Sequence, residues 1–521
     1  MNLIRALGSI GGLTLASRVL GLVRDSLFAR YVGASFASDA FLIAFRLPNL
    51  FRALFAEGAF SAAFVPMFSK KVGEAGGDTK PALSFAEEAL SVLLPILILL
   101  TAIMEVAAYP VVWALSGGFN DVTPGQFAYA VELSRITFPY LLLISLVSLL
   151  GGILNSLQKF WVNAAAPILL NATLIAALLF FHNDNTLLTA RNQAIAVTVS
   201  GVLQLLWLFL ACRANGVKLR IRAPRLTPDV KKLLALIGPA AAGAGATQIN
   251  LIISTALAAS LLAEGSVSYI YYADRLNQLP LGLIGIGLGT VLLPTIARQL
   301  GAGNESAAMH TQNRGAELAL FLTLPATAAL VICGGPIVAA LFQHGAFTAE
   351  NTIKTAQALA AFSVGLPAYI LVKVLTPGFY ARSDTKSPVR YAMVSIAVNL
   401  ALNLALIVPL QHMGPPLATA VAAWVNVALL YRALAKRGHF VADDQLRRRV
   451  WRLVGASIAM GAVMFFLNDL FTPYIHGAWT IRTAAMLVLV GAGCVVYAVA
   501  CFGTGAVRIG DFKALFRRRA A

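Results

Sequence analysis

Long apolar runs dominate this chain. Fourteen stretches, each long enough to supply the roughly 20 mostly nonpolar residues that a helix needs to cross a bilayer, follow one another with short polar breaks. Only helices and closed barrels cross hydrocarbon with every backbone group hydrogen-bonded. The runs are continuous, not ten-residue alternations, so the chain is expected to be an all-α polytopic membrane protein. The predicted spans lie near 7–31, 36–68, 86–114, 127–156, 160–182, 191–213, 231–262, 267–298, 314–341, 354–379, 388–409, 415–436, 450–470 and 480–503. The second and eighth exceed one crossing and contain Pro48 and Pro280, which predicts a kink or a break in each. Charged residues make up 12% of the 521, about half the share in a soluble domain. That excludes a soluble enzyme, a disordered tail protein and a secreted disulfide scaffold. Cys212, Cys333, Cys494 and Cys501 form no C-x-x-C pair, so neither a disulfide framework nor a metal site is expected. The N-terminal apolar run is followed at once by Arg18, Arg24, Arg30 and another span, and reads as a retained first helix.

The net charge of +18, from 40 Lys and Arg against 22 Asp and Glu, is largely topological. With the N-terminus placed in the cytoplasm, 29 cations fall in cytoplasmic segments and only Arg191, Lys354 and Arg482 on the other side. Short cytoplasmic loops carry excess Lys and Arg, so both termini are expected inside with an even number of spans. No nucleic-acid role is needed to explain the charge.

The chain also carries an internal copy of itself. Arg46-Leu47 recurs as Arg275-Leu276 at an offset of 229; Pro66, Pro139 and Asn171 recur as Pro294, Pro367 and Asn399 at 228. Each copy spans six predicted helices. An even number returns the second copy to the membrane in the same orientation, the parallel-repeat class of secondary transporter, in which substrate binds between the halves. The expected organisation is an N-lobe at 1–220, a C-lobe at 221–440 and two appended helices with a basic tail at 441–521.

Eight cations remain within the spans. Arg30 and Arg135 lie near helix ends and can snorkel. Lys373 is a further candidate on the tenth helix. Arg18, Arg24, Arg46, Arg52 and Arg275 are deeper. Each costs roughly 2.5–3.5 kcal/mol on insertion scales unless it meets water or a partner, so these five are expected to line a hydrated cavity. Arg18 and Asp25 are seven residues apart on one helical face, as are Asp39 and Arg46; Tyr271 and Gln278 flank Arg275. The acids of these regions are Asp25, Asp39, Glu57 and Asp274, and internal ion pairs that fix helix packing are the competing reading. The deep cations of the first, second and eighth helices are all Arg. Guanidinium forks bind phosphate through two hydrogen bonds and keep their charge when desolvated, which suits a dianionic head group such as a pyrophosphate. A cation or drug carrier would instead need a decisive carboxylate, for which Asp39 is the test position.

Nothing reads as catalytic. The six His are scattered, and no H-E-x-x-H, P-loop or G-x-S-x-G occurs. Gly282, Gly285, Gly287 and Gly289 suit close helix packing or a flexing gate rather than a nucleotide loop. Without a nucleotide site, an ion gradient or the membrane potential would drive transport. An enzyme acting on the same substrate would need a surface cluster of acids or His, which the loops lack.

Several long motifs carry a family resemblance. They are Ser17-Arg18-Val19-Leu20-Gly21 with Arg24-Asp25; Ser38-Asp39-Ala40-Phe41; Phe45-Arg46-Leu47-Pro48-Asn49-Leu50-Phe51-Arg52; and Phe55-Ala56-Glu57-Gly58-Ala59-Phe60-Ser61 through Pro66. Tyr271-Tyr272-Ala273-Asp274-Arg275-Leu276 and Lys373-Val374-Leu375 with Pro377-Gly378-Phe379-Tyr380 complete the set. The whole chain resembles the MurJ (MviN) lipid II flippases of the MOP exporter superfamily. The resemblance implies fourteen helices in the bacterial cytoplasmic (inner) membrane and export of lipid II, the undecaprenyl-pyrophosphate-linked precursor of peptidoglycan. The partners it implies are lipid II and membrane lipids, for a monomer without cofactor. It assigns substrate contacts to Arg18, Arg24, Asp39, Arg52 and Arg275, with Asp25, Arg46, Glu57, Asp274 and Lys373 as secondary cavity residues, and a lipid-tail groove to the last two helices. Another MOP-type carrier, for O-antigen lipids or drugs, is the alternative. Two departures stand out. Ala53 replaces a second Arg that members often carry after Arg52. The seventh and eleventh helices hold no Asp or Glu, so the sodium site of some members is not expected.

Overall fold

The computed structural model describes residues 3–52, 59–475 and 477–506. Those residues form nineteen α-helices and one 3-10 turn, with no strand among them. The chain opens with α1 (Leu3–Val32), α2 (Phe36–Arg52) and α3 (Ala59–Glu74). Next come α4 (Lys80–Val106), α5 (Ala108–Ser116), α6 (Pro124–Thr137), α7 (Pro139–Ser156), α8 (Phe160–Phe180) and α9 (Thr186–Ala214). After a basic non-helical segment, α10 (Pro228–Leu261), α11 (Ser266–Gly301), α12 (Glu305–Ile332) and α13 (Gly334–Phe342) follow. The rest are α14 (Ala349–Ser363), α15 (Leu366–Tyr380), α16 (Lys386–Leu410), α17 (Gly414–Lys436), α18 (Asp444–Ile475) and α19 (Trp479–Gly503). Ten segments among the described residues are long and apolar enough to cross a membrane. The protein is a membrane-spanning helical protein.

Prolines and caps set the helix ends. Thr123 and Gln126 form a reciprocal capping box at the start of α6, with Pro124 in the first turn, where its missing N–H is not needed. Pro139 opens α7 and Pro367 sits in the first turn of α15. These two helix starts fall on the 228-residue repeat. Of the kink or break expected at Pro280, the break does not occur: α11 runs through Pro280 and Pro294.

The chain divides into two compact units, residues 1–268 with 344–347, and 269–343 with 348–521. In the first, α10 packs on α3, α4 and α5. Its approach is tied by the basic segment before it. Buried Glu87 accepts the Arg220 backbone N–H at 2.9 Å and pairs with Arg222 at 2.5 Å, and Lys71 pairs with Asp229 at 2.7 Å. Phe60, Phe64, Phe68 and Phe85 stack in the core of this unit.

In the second unit, α11, α12, α15 and α17 share an apolar core that includes Ile296, Val374, Phe379 and Leu434. α18 and α19 form a pair packed on α12. Small residues allow the close approach on which membrane helix packing depends: a Cβ at Gly493 would lie 2.6 Å from Met464 Sδ. Tyr497 donates its hydroxyl to the Phe321 carbonyl at 2.8 Å. Arg314 pairs with Asp443 at 2.5 Å, and Glu317 binds both Arg314 and Arg449, which anchors the start of α18 to α12.

Candidate functional site

The predicted arginines fall into distinct environments. Arg24 on α1 is buried. Its Nε and Nη2 donate to Asp25 Oδ1 at 3.0 and 2.6 Å, and its Nη1 donates to Asn171 Oδ1 at 3.2 Å. Asn171, on α8, also donates to the Ser17 carbonyl at 3.0 Å. Asp25 is therefore engaged by its sequence neighbour Arg24, whereas Arg18, two turns back on the same face, is exposed. Arg52 is half-buried and donates to Asn49 at 3.0 Å. Arg46 reaches from α2 to the Thr255 hydroxyl on α10. In the second unit, Arg275 lies over the Tyr271 ring, 5.2 Å from its centroid, with Nε donating to the Tyr271 hydroxyl at 3.2 Å. Asp274 accepts from Gln278 one turn on, at 2.5 Å. Lys373 extends over Gly285, where an added Cβ would meet its Nζ at 2.6 Å. Glu57 and Ala53 lie outside the described residues.

Asp39 is buried among donors. Its Oδ2 accepts the Gly265 N–H at 2.8 Å, and its Oδ1 accepts the Ser268 N–H at 2.8 Å and the Ser268 hydroxyl at 2.5 Å. The Ser38 hydroxyl lies 2.7 Å from that of Ser268. In return, Glu264 accepts the N–H of Phe36, the first residue of α2, at 2.6 Å. Each helix start is thus capped by a carboxylate from the other. Unsatisfied N–H groups and the positive end of the helix dipole favour such an anion. Asp39 and Ser268 are 229 residues apart, the same offset that separates Arg46-Leu47 from Arg275-Leu276.

The neighbouring loops repeat this reciprocity. The Asn120 N–H donates to the Ala259 carbonyl at 2.9 Å, and the Ala346 N–H donates to the Arg30 carbonyl at 2.8 Å. The glycines beside them, Gly117 and Gly345, are 228 residues apart and have φ of 60° and 55°. A Cβ at Gly117 would lie 2.6 Å from Ser260 Cβ, and one at Gly345 would lie 2.3 Å from the Arg30 carbonyl oxygen. Only glycine adopts this backbone without cost and permits that approach. Gly33, at φ 73°, meets the Ala346 carbonyl in the same way. Phe36 and Phe119 close the group edge to face at 5.3 Å. Together these loops form a clasp at the ends of α1, α2, α5 and α10. Sequence reasoning found Asp39 but missed Gly33, Gly117, Glu264, Ser268 and Gly345. The available signal was glycine at helix ends on the repeat offset.

The family model described as lipid II flippase MurJ matches residues 28–484. The chain belongs to the MurJ family. A Rhizobium tropici relative named probable lipid II flippase MurJ is 42% identical over 524 residues, covering 100% of this chain and 97% of the relative. A Burkholderia cenocepacia relative named lipid II flippase MurJ is 37% identical over 535 residues, covering all of both chains. Among solved structures, a MurJ in an inward closed conformation superposes with a TM-score of 0.77 at 24% identity, covering 94% of this chain and 97% of that one. An inward-facing multidrug resistance MATE family transporter of the MOP superfamily gives 0.65 at 16% identity, covering 80% and 95%. Both likenesses concern the fold. Asp39 and Arg275 fall within the matched residues 28–484, and the Arg24-Asp25 pair lies just before them.

Proposed function

We propose that this protein moves lipid II from the cytoplasmic to the periplasmic leaflet of the bacterial inner membrane by alternating access, as a transporter and not an enzyme. Membership of the MurJ family is the observation that carries the reading. The residue chemistry supports it. The candidate pyrophosphate ligands are guanidinium groups: Arg18, Arg24 and Arg52 in the first unit, and Arg275 in the second. Arg24 is oriented by Asp25 and Asn171, and Arg275 by Tyr271, so less side-chain freedom is lost when an oxyanion binds. Arg46, Asp274, Glu57 and Lys373 are supporting cavity candidates. Asp39 contributes through the clasp, which must open to release the head group and reclose.

The proposed topology has fourteen spans with both termini cytoplasmic and the clasp at the periplasmic face. The two lobes descend from a duplicated six-helix unit, and α18 and α19 guide the lipid tail. The three cations placed outside are each engaged nearby: Arg191 with Glu132 at 2.8 Å, Lys354 with Glu350 at 2.7 Å, and Arg482 with the Gln343 carbonyl at 2.8 Å.

The test is binding of lipid II against undecaprenyl phosphate by the purified protein, with Arg275→Ala and Arg24→Ala variants. Preference for lipid II that drops at least tenfold in each variant supports the reading. Equal binding of both lipids, or full binding by both variants, overturns the pyrophosphate assignment.

A further inference from the structure

The turn between α16 and α17 holds a buried histidine that the transport reading does not use. His412, 8% exposed, sits in the 3-10 turn Gln411–Met413. Gln411, just before it, has φ of 47°, a backbone conformation that a residue with a side chain keeps only where its surroundings enforce it. One such restraint is the 3.0 Å hydrogen bond between His412 Nε2 and Gln357 Oε1 of α14. A carbonyl oxygen only accepts, so Nε2 carries the hydrogen and the neutral ring leaves Nδ1 unprotonated. The same ring meets Tyr269 edge to face, with centroids 5.9 Å apart.

Tyr269 is buried in the first turn of α11. Its hydroxyl donates to Asn351 Oδ1 at 3.1 Å, and Lys354 Nζ lies 5.5 Å from its ring centroid. Asn351, Lys354 and Gln357 recur at three-residue spacing, so one face of α14 and the His412 turn together cage this ring. Ser268, the residue before Tyr269, is the one whose N–H and hydroxyl Asp39 accepts. The first turn of α11 is therefore pinned twice, through Ser268 by the clasp and through Tyr269 by the cage.

The cage suits only a neutral imidazole. Of the elements packed on the turn, α14 brings Lys354 and its partner Glu350, 2.7 Å apart, and α11 brings Tyr269, with Asp274 and Arg275 more than one turn further along. α16 and α17 carry no charged side chain between Tyr391 and Tyr431. A proton on Nδ1 would add a second cation against the Tyr269 ring that Lys354 already faces. It would do so on a buried group whose one hydrogen-bond partner among the described residues, Gln357, is already engaged by Nε2. Burial, then the Lys354 charge, hold the His412 imidazole below its ordinary range. The neutral cage is thus at full strength above about pH 6.5, the ordinary imidazole value, and weakens as pH falls below it. We propose that this cage is an acid-sensitive pin: neutral His412 fixes the first turn of α11, and a proton on His412 frees that turn and favours opening of the clasp. That the proton arrives from the periplasm rests on the proposed topology; the pin itself does not.

The experiment is hydrogen exchange of residues 269–272 and 411–414 in the full chain, held in lipid nanodiscs, between pH 7.5 and 5.0 and corrected for the intrinsic pH dependence of exchange. Wild-type protection is expected to fall at least fivefold on acidification. Asp39 and Glu264 stand at the same helix start and can answer acid themselves, so the comparison is with His412→Gln, which leaves both in place and supplies a neutral donor for Gln357. That variant is expected to keep the protection seen at pH 7.5 and to change less than twofold. Lys354→Met removes the repelling charge and is expected to move the midpoint of the wild-type response to higher pH, a shift that a merely structural histidine would not give. It decides the case if His412→Gln does not fold. A wild-type change below twofold overturns the proposal, as does a His412→Gln response equal to that of the wild type or an unmoved midpoint in Lys354→Met. No substrate is present in the measurement, so its failure is distinct from failure of the transport reading.

Discussion

Replacing Gly345 with Ala is expected to weaken the clasp while leaving the rest of the fold in place. Gly345 has φ of 55°, where an L-residue with a side chain pays roughly 1–2 kcal/mol. The new Cβ would also lie 2.3 Å from the Arg30 carbonyl oxygen, a backbone atom that cannot swing away. Relieving that contact moves the loop by about 1 Å from ordinary van der Waals distance. The move breaks the adjacent 2.8 Å bond from the Ala346 N–H to the same oxygen, worth about 1 kcal/mol net. The closed clasp should therefore lose roughly 2–4 kcal/mol, which at 1.4 kcal/mol per decade is about 30- to 1,000-fold in its opening equilibrium. Hydrogen exchange of residues 344–348 in the full chain, held in lipid nanodiscs, reads this directly. Gly303→Ala is the control, because Gly303 has φ of 72° but nothing within 4 Å of an added Cβ. It carries the backbone strain without the collision and should leave exchange at the clasp unchanged. Exchange in Gly345→Ala within threefold of wild type would refute the reasoning. So would a Gly303→Ala variant that opens the clasp equally.

Three further outcomes are expected. Asp39→Ala removes the acceptor of three donors and the cap on α11, and should raise exchange at residues 265–268 by at least tenfold; unaltered exchange there would remove Asp39 from the clasp. Glu317→Gln should destabilise the protein by about 1–3 kcal/mol, because Arg449 and Arg314 lose a buried counter-charge. Glu350→Gln, at an exposed pair, should leave the melting temperature unchanged, and similar shifts in the two variants would contradict this account. Finally, Asp384, in the loop before α16, is held below the ordinary carboxylate range by the Ser387 side chain, then by Arg437 and the Ser387 N–H. A carboxyl with a lowered folded value adds stability above its unfolded value, about pH 4, and loses it as pH falls through the lowered one. Melting temperature measured against pH should therefore show a weaker acid-side decline in Asp384→Asn, and superimposable profiles would exclude this contribution.

Much of this protein was legible in its residues because the controlling signals are local or periodic. Apolar run length dictates membrane helices, since a bilayer leaves the backbone no other partner. Pro139 and Pro367 were legible only as a pair on the repeat offset inside the predicted spans 127–156 and 354–379, and the structure puts a helix start at or beside each. Pro280 does not end its helix, because a membrane helix can carry proline without breaking. Helical periodicity put Arg18 and Asp25 on one face, and Asp39 and Arg46 on another. It could not select the partners, because a charged side chain pairs with whatever group the tertiary fold brings closest. Arg24 took Asp25 once α8 delivered Asn171 to its other side. Asp39 took Gly265 and Ser268, more than two hundred residues away, because the start of α11 presents free N–H groups there. The clasp glycines show the same division. The sequence alone determined that glycine recurs on the repeat offset. Only the tertiary structure decided what that glycine is for, since the oxygen that excludes a Cβ at Gly345 belongs to Arg30 at the other end of the chain's first unit.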